Sequence, residues 1–199
     1  MKRIYLVWAA AIITLASCNN NKPKDTITIP SEDGKESVTL DVNQMKDAAQ
    51  DMEKAKEELG KLTPLSLDQL KTLLPETLMG AKRTSFDVNA SSGAGLATAE
   101  YELNDSSRIS LNIYDCAGPG GAGIYSMQFL GMMNIQQESE EEYTKSIDIN
   151  GGKGFEHCDK TSNDCEITYF SGGRFLVTLE GDHVGASALK AVAGQLKIK

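Results

Sequence analysis

The sequence predicts an α+β fold: an antiparallel sheet of about six to seven strands with helices packed on one face, preceded by a helical stalk. Three observations carry that expectation. Apolar residues recur at steps of three and four near both ends of the chain and at a step of two through its middle. Turn-forming clusters rich in Asn and Gly separate the period-two stretches. Strands in runs joined by tight turns, with the helices segregated, give antiparallel α+β rather than alternating α/β architecture.

The elements follow in order. Leu40, Met45, Ala48, Ala49, Met52, Ala55, Leu59 and Leu62 form one narrow stripe with Lys and Glu between them, which predicts an amphipathic helix over 39–62. Ser66 and Gln69 have the capping-box spacing, so a second helix runs from Leu67 to Leu74 and stops before Pro75. A single α+β domain is expected over 63–199. Strands are read at 84–88, 97–103 and 108–115, the last placing Ile109, Leu111 and Ile113 on one face. Asn104 to Ser107 is the turn between the second and third.

A third helix is read from Ile124 to Gln137, with Met127, Phe129, Leu130, Met132, Met133 and Ile135 as core against the sheet. Strands return at 145–149 and 154–158 around Asn150-Gly151-Gly152-Lys153, and at 165–170 and 174–180 around Ser171-Gly172-Gly173. A last helix spans 186–196. Tyr101 to Asp115 and Tyr169 to Asp182 share a pattern of Tyr, turn, Arg and alternating apolar residues. A helix follows each, so a two-fold internal pseudo-repeat is one expectation and chance likeness of two hairpins the other.

The chain begins with Lys2 and Arg3, an apolar run from Ile4 to Ala16 too short to span a bilayer, and small residues leading into a Cys. Leu15-Ala16-Ser17-Cys18 resembles the lipobox of bacterial lipoproteins, a resemblance confined to residues 1–18. It implies that 1–17 are cleaved and that Cys18 is lipidated, anchoring the chain to a bilayer in the cell envelope. Residues 18–38, polar and carrying Pro23 and Pro30, are expected to be a flexible tether. Asp25-Thr26-Ile27 resembles a bacterial O-glycan acceptor, a three-residue match on which no modification is claimed. Nothing acidic in 19–22 marks inner-membrane retention, which points to the outer membrane; the side the domain faces stays open.

Loss of Lys2 and Arg3 takes the formal charge from -8 to -10. Nucleic-acid binding requires Lys and Arg to neutralise phosphates, so no nucleic-acid partner is expected. The expected partners, beyond the bilayer, are an envelope protein or a small ligand.

Three cysteines remain after lipidation. Cys158 and Cys165 stand at facing strand ends with a six-residue polar turn between them, and a disulfide is expected there. Cys116 precedes a glycine run and a helix start, where a positive dipole end lowers a thiol pKa. A thiol hydrolase or redox protein can therefore be written, with His157 or His183 as base and Asp115 as orienter. Against it, neither His has a local signature, and a lone buried Cys is commonly a small apolar residue.

Gly118, Gly120, Gly121 and Gly123 fit G-x-G-x-x-G between a strand and a helix, the setting of an anion-binding loop. A hairpin follows where a dinucleotide fold needs a parallel strand. His157, Cys158, Cys165 and Cys116 make a nominal Cys3His set, but adjacent strand residues point to opposite faces. The run from Asp159 to Asp164 opens like a calcium loop and lacks its Gly and its closing Glu. No metal, cofactor or catalytic constellation is assigned. Glu100 and Glu102 share a strand face and are read as solubilising charge. The overall reading is a non-enzymatic binding or scaffold domain on a lipid anchor.

Overall fold

The structure is a computed structural model that describes residues 26–30, 37–91, 93–125 and 135–198. The chain divides into two units, 1–43 and 44–199. In the first, β1 (Thr26–Pro30) pairs antiparallel with β2 (Ser37–Asp41), setting Ile27 opposite Leu40 and Ile29 opposite Val38. The predicted flexible tether over 18–38 therefore contains paired strand. Alternating Ile and Thr supply β propensity there, and Pro30 falls at a strand end, where its missing N–H costs least.

Helix α1 spans Val42–Lys61. In the second unit its last turns bury Leu59 and half-bury Met52 and Ala55. Helix α2 (Leu67–Thr72) carries the predicted capping box: Ser66 Oγ accepts the Gln69 N–H at 3.3 Å, and Gln69 Oε1 accepts the Ser66 N–H at 3.0 Å. No helix among the described residues is long and apolar enough to cross a membrane.

Among the described residues the main sheet has nine strands, more than the six to seven expected. They are β3 (Thr77–Leu78), β4 (Ala81–Ser91), β5 (Ala94–Glu102), β6 (Arg108–Asp115), β7 (Gln136–Glu138), β8 (Glu142–Ile149), β9 (Gly152–Asp159), β10 (Cys165–Ser171) and β11 (Phe175–Asp182). Every pairing is antiparallel, in the order β3-β4-β5-β6-β11-β10-β9-β8-β7. The surplus strands are the short edges β3 and β7. Two residues in β3 and the polar Gln-Gln-Glu of β7 are too little to carry a period-two signal, and short edges blunt the tendency of an open sheet to recruit another chain.

Turn chemistry sets the registers. Asn150 (φ 51°) and Gly151 (φ 78°) are both left-handed, as a two-residue hairpin with the sheet's own twist requires, and they join β8 to β9. The Ser106 N–H donates to Asn104 Oδ1 at 3.0 Å and closes the turn from β5 to β6.

Strict alternation follows. Ala97, Ala99, Tyr101, Ile109, Leu111, Ile113, Ile167, Tyr169, Val177 and Leu179 are buried on one face, beneath α2 (Leu70) and helix α4 (Ala186–Gln195), which contributes Leu189, Val192 and Ala193. A smaller cluster occupies the opposite face at one end of the strands, where Tyr114, Phe170 and Leu176 meet Leu59, Cys116, Ala122 and Tyr125. Helices thus contribute to both faces, against the expectation of one. Met52, Ala55 and Leu59 of α1 supply part of the second layer.

Helix α3 spans Gly118–Ile124; most of the predicted helix from 124 to 137 lies outside the described residues, and its last residues, Gln136 and Gln137, are strand in β7. Met127, Phe129, Leu130, Met132 and Met133 lie outside the described residues. Ile135 leads into β7, its N–H donating to Ser146 Oγ at 2.9 Å.

Cys158 and Cys165 are directly opposite in the β9–β10 ladder and form the expected disulfide. They are seven residues apart, so the bond closes a small loop. A loop that size contributes about 2.5 kcal/mol at most by chain entropy. Replacing both cysteines by Ala should leave a cooperatively folding protein that is less stable by no more than this amount, as read by urea unfolding.

Candidate functional site

The corner that sequence reading singled out is built on a buried ion pair. Asp115 ends β6 fully buried, and four donors converge on it. Arg174 Nε lies 2.7 Å from Oδ1 and Nη2 lies 2.9 Å from Oδ2. The Leu65 N–H reaches Oδ2 at 2.7 Å and the Ala117 N–H reaches Oδ1 at 3.1 Å. Burial alone would raise this carboxyl, yet Arg174 and the two backbone donors hold it below its ordinary value. Arg174 also donates to Thr63 O at 2.8 Å.

Cys116, next in the chain, is fully buried, and burial pushes its thiol up to about 12. Its Sγ–H points to Tyr114 O at 3.9 Å. The expected dipole activation does not operate, because the thiol faces the apolar cluster of Leu59, Tyr125 and Leu176. The register also removes its bases. His157 pairs across Glu166 and Glu180 to Ser110, six positions before Cys116, or about 20 Å along the strand, and lies three strands to the side. His183 follows Asp182, which pairs with Arg108 at the far end of β6. The proposed orienter, Asp115, is committed to Arg174.

The glycine run is helix α3 rather than a loop before a helix. Gly118 has φ +76°, and a Cβ there would lie 2.8 Å from Pro64 Cγ. A Cβ on Gly121 would lie 2.6 Å from Asp115 O, and its N–H donates to Gly93 O at 3.3 Å. Gly118 is explained by its left-handed φ and the Pro64 ring against it, and Gly121 by close approach of backbone to backbone. Gly123 has open space around it, and Gly120 is exposed. A seven-residue helix with part of its first turn already bonded is a poor anion cradle.

The register assembles something the sequence showed only in part. Ser85, Glu100, Ser110, Glu180, Glu166, His157 and Thr144 form one row across seven strands, on the face opposite the main core. Ser110 Oγ donates to Glu100 Oε2 at 2.8 Å, Asn112 Nδ2 to Glu180 Oε1 at 3.2 Å and Thr168 Oγ1 to Glu166 Oε1 at 3.0 Å. Glu102 shares this face, beside the Arg108–Asp182 ion pair. Partial burial and the carboxylates of Glu166, Glu100 and Asp182 raise the Glu180 carboxyl. Glu100 was legible as strand charge; Glu166 and Glu180 became its neighbours only through pairing. Among the described residues no group of three or more His, Cys, Asp or Glu is arranged to hold a metal ion.

A second buried carboxylate was missed. Glu156 is 1% exposed on the core face. Tyr143 Oη donates to its Oε1 at 2.5 Å, Lys145 Nζ is 3.2 Å from Oε1, and Lys190 Nζ from α4 is 2.5 Å from Oε2. Burial would raise it, but Lys190, Tyr143 and Lys145 hold it low. Its signal was a Glu at an inward position between Gly154 and Cys158. Asp159, first in the calcium-like run, accepts the Thr161 N–H at 2.6 Å and the Ser162 N–H at 3.1 Å, which makes it a turn residue.

No protein-family model, no curated protein and no solved structure matches this chain.

Asp115 and Glu156 titrate lower in the fold than in the unfolded chain, so their contribution is complete above about pH 4.5 and is lost as pH falls below 3.8. Asp115→Asn should cost about 3 kcal/mol at neutral pH and show a shallower acid loss in urea unfolding measured against pH. Iodoacetamide at neutral pH should leave Cys116 unlabelled in the native protein and modify it on unfolding, as read by mass spectrometry.

Proposed function

We propose that this chain is a lipid-anchored cell-envelope protein that acts by binding, with Cys18 as the acylated residue and the 63–199 domain as a non-enzymatic binding or scaffold module. The observation that carries the reading is Leu15-Ala16-Ser17-Cys18 following a basic start and a short apolar run. Each acyl methylene buried in a bilayer contributes about 0.8 kcal/mol, so several chains on one cysteine hold a soluble domain at the membrane. The absence of acid in 19–22 supports the outer membrane as its location.

The geometry supports binding in two ways. Cys116, the side chain most readily read as a nucleophile, is core, and its candidate bases lie at the other end of the sheet. The face opposite the main core carries a half-exposed row of hydroxyls and carboxylates, a surface suited to an envelope protein or a small ligand bearing donors or positive charge. The two halves, β5-β6-α3 and β10-β11-α4, are each a hairpin followed by a helix and meet at the β6–β11 pairing, which supports reading them as a pseudo-repeat.

The test is metabolic labelling of a bacterium expressing the full chain with a palmitate analogue. The wild type should incorporate label and fractionate with membranes. Cys18→Ser should lose the label and remain uncleaved. Unlabelled wild-type protein recovered from cytosol would overturn the reading.

A further inference from the structure

The Cys158–Cys165 disulfide belongs to the main core, with both cysteines buried, and it also walls a surface cavity of about 450 Å3. Tyr143, Lys160 and Asn163 line the same cavity, together with Gly185 to Ala188 at the start of α4. This helix begins without a side-chain cap, its N-cap being Gly185, whose carbonyl takes the Ala188 and Leu189 N–H groups. The N–H groups of a first turn carry partial positive charge, which stabilises a nearby thiolate. Lys160 adds a cation at the rim, shared with Glu138.

The turn inside the disulfide is clasped to the loop that enters α4. Asp164 Oδ1 accepts the His183 N–H at 2.7 Å, and Asn163 Oδ1 occupies the space that a Cβ on Gly185 would need, 2.9 Å away. Asn163 (φ 61°) and His183 (φ 54°) are both left-handed.

Exchange at a disulfide needs a path for the attacking thiolate and a leaving sulfur whose thiolate is stabilised. Both cysteines and the start of α4 line the one cavity, which brings the two requirements to the same place. We propose that Cys158–Cys165 is a thiol–disulfide exchange site, opened through this cavity by an external dithiol, and that reduction releases the 159–164 turn from the α4 entry loop. One thiolate of the dithiol attacks a cysteine sulfur, forming a mixed disulfide as the other cysteine leaves as thiolate. The second dithiol sulfur, having lost its proton to water, then attacks the first dithiol sulfur, the bond to the remaining cysteine breaks, and that cysteine leaves as thiolate while the dithiol departs as an oxidised cyclic disulfide. Two electrons pass to the cystine, and both cysteines take protons from solvent. The β9–β10 ladder from Cys158–Cys165 to Gly154–Tyr169 does not depend on the bond and stays paired.

The test treats the full chain with excess dithiothreitol without denaturant, counts thiols with a mass-tagged maleimide, and repeats the measurement at equilibrium in glutathione buffers. Two thiols should appear while Cys116 remains protected. Ser187, exposed in the first turn of α4, tunes the local charge. Ser187→Asp should slow reduction and Ser187→Lys speed it by about two- to fivefold, with the equilibrium moving in the same sense. An acid at this position favours the helix, so the Asp variant reports even where the Lys variant fails to fold. A bond that resists dithiothreitol until the chain unfolds, or that reduces at one rate in all three proteins, overturns the proposal.

Discussion

The Asp115–Arg174 pair is the constraint on which the rest of the domain is hung. A carboxylate at the end of a central strand, fully buried, is tolerable only if each oxygen is occupied, and here four donors from three segments do it. The donors belong to the α1–α2 connection, the start of α3 and the β10–β11 turn. One charge therefore fixes where three connections approach the sheet. The planar fork of Arg is needed, since it grips both carboxylate oxygens and still reaches Thr63 O; Lys offers no such fork. Such a pair adds little net stability over an apolar substitute, and its value lies in specifying one arrangement.

Glu156 applies the same logic at the other half of the sheet. Both carboxylates occupy inward positions on strands whose other inward residues are apolar or small. A slip of one residue would carry either to the opposite face, away from its cations. For Glu156 those cations come from β8 and from α4, so the carboxylate also fixes the helix on the sheet. The hydrophobic pattern sets which face is inside; the two buried acids set register and helix position more tightly than apolar contacts, which are non-directional.

Much of this was legible. The β6 bounds follow from Ile109, Leu111 and Ile113, the α2 start from Ser66 and Gln69, and the β8–β9 hairpin from Asn150-Gly151, because each rests on local chemistry that tertiary context does not override. The edge strands were not legible, since Gln136–Glu138 pair through backbone alone and carry no apolar period. The β1–β2 pairing was hidden because Pro23 and Pro30 made its surroundings read as spacer. Gly118 to Gly123 left two readings open for a physical reason: glycine needed for close backbone approach looks in sequence like glycine needed for an anion. Cys116 left two open likewise, because position beside a helix start says nothing about which way a thiol points. The row from Glu100 to His157 was invisible in principle, as it exists only through strand order.

The disulfide belongs to a different level of organisation from the two ion pairs. Ladders, apolar faces and buried acids already determine the register of β9 and β10, so a cross-link between residues they hold opposite adds little to specification. What it does constrain is the 159–164 turn, whose Asn163 and Asp164 bear on the α4 entry. Left-handed residues other than glycine are costly, and they persist where surrounding contacts over-determine them. Asn163 and His183, one in this turn and one in the loop it touches, are both of this kind. The bond therefore acts on the part of the fold with strained backbone and few ladder bonds. Opening it would change the α4 entry while leaving Asp115, Glu156 and the sheet they organise untouched.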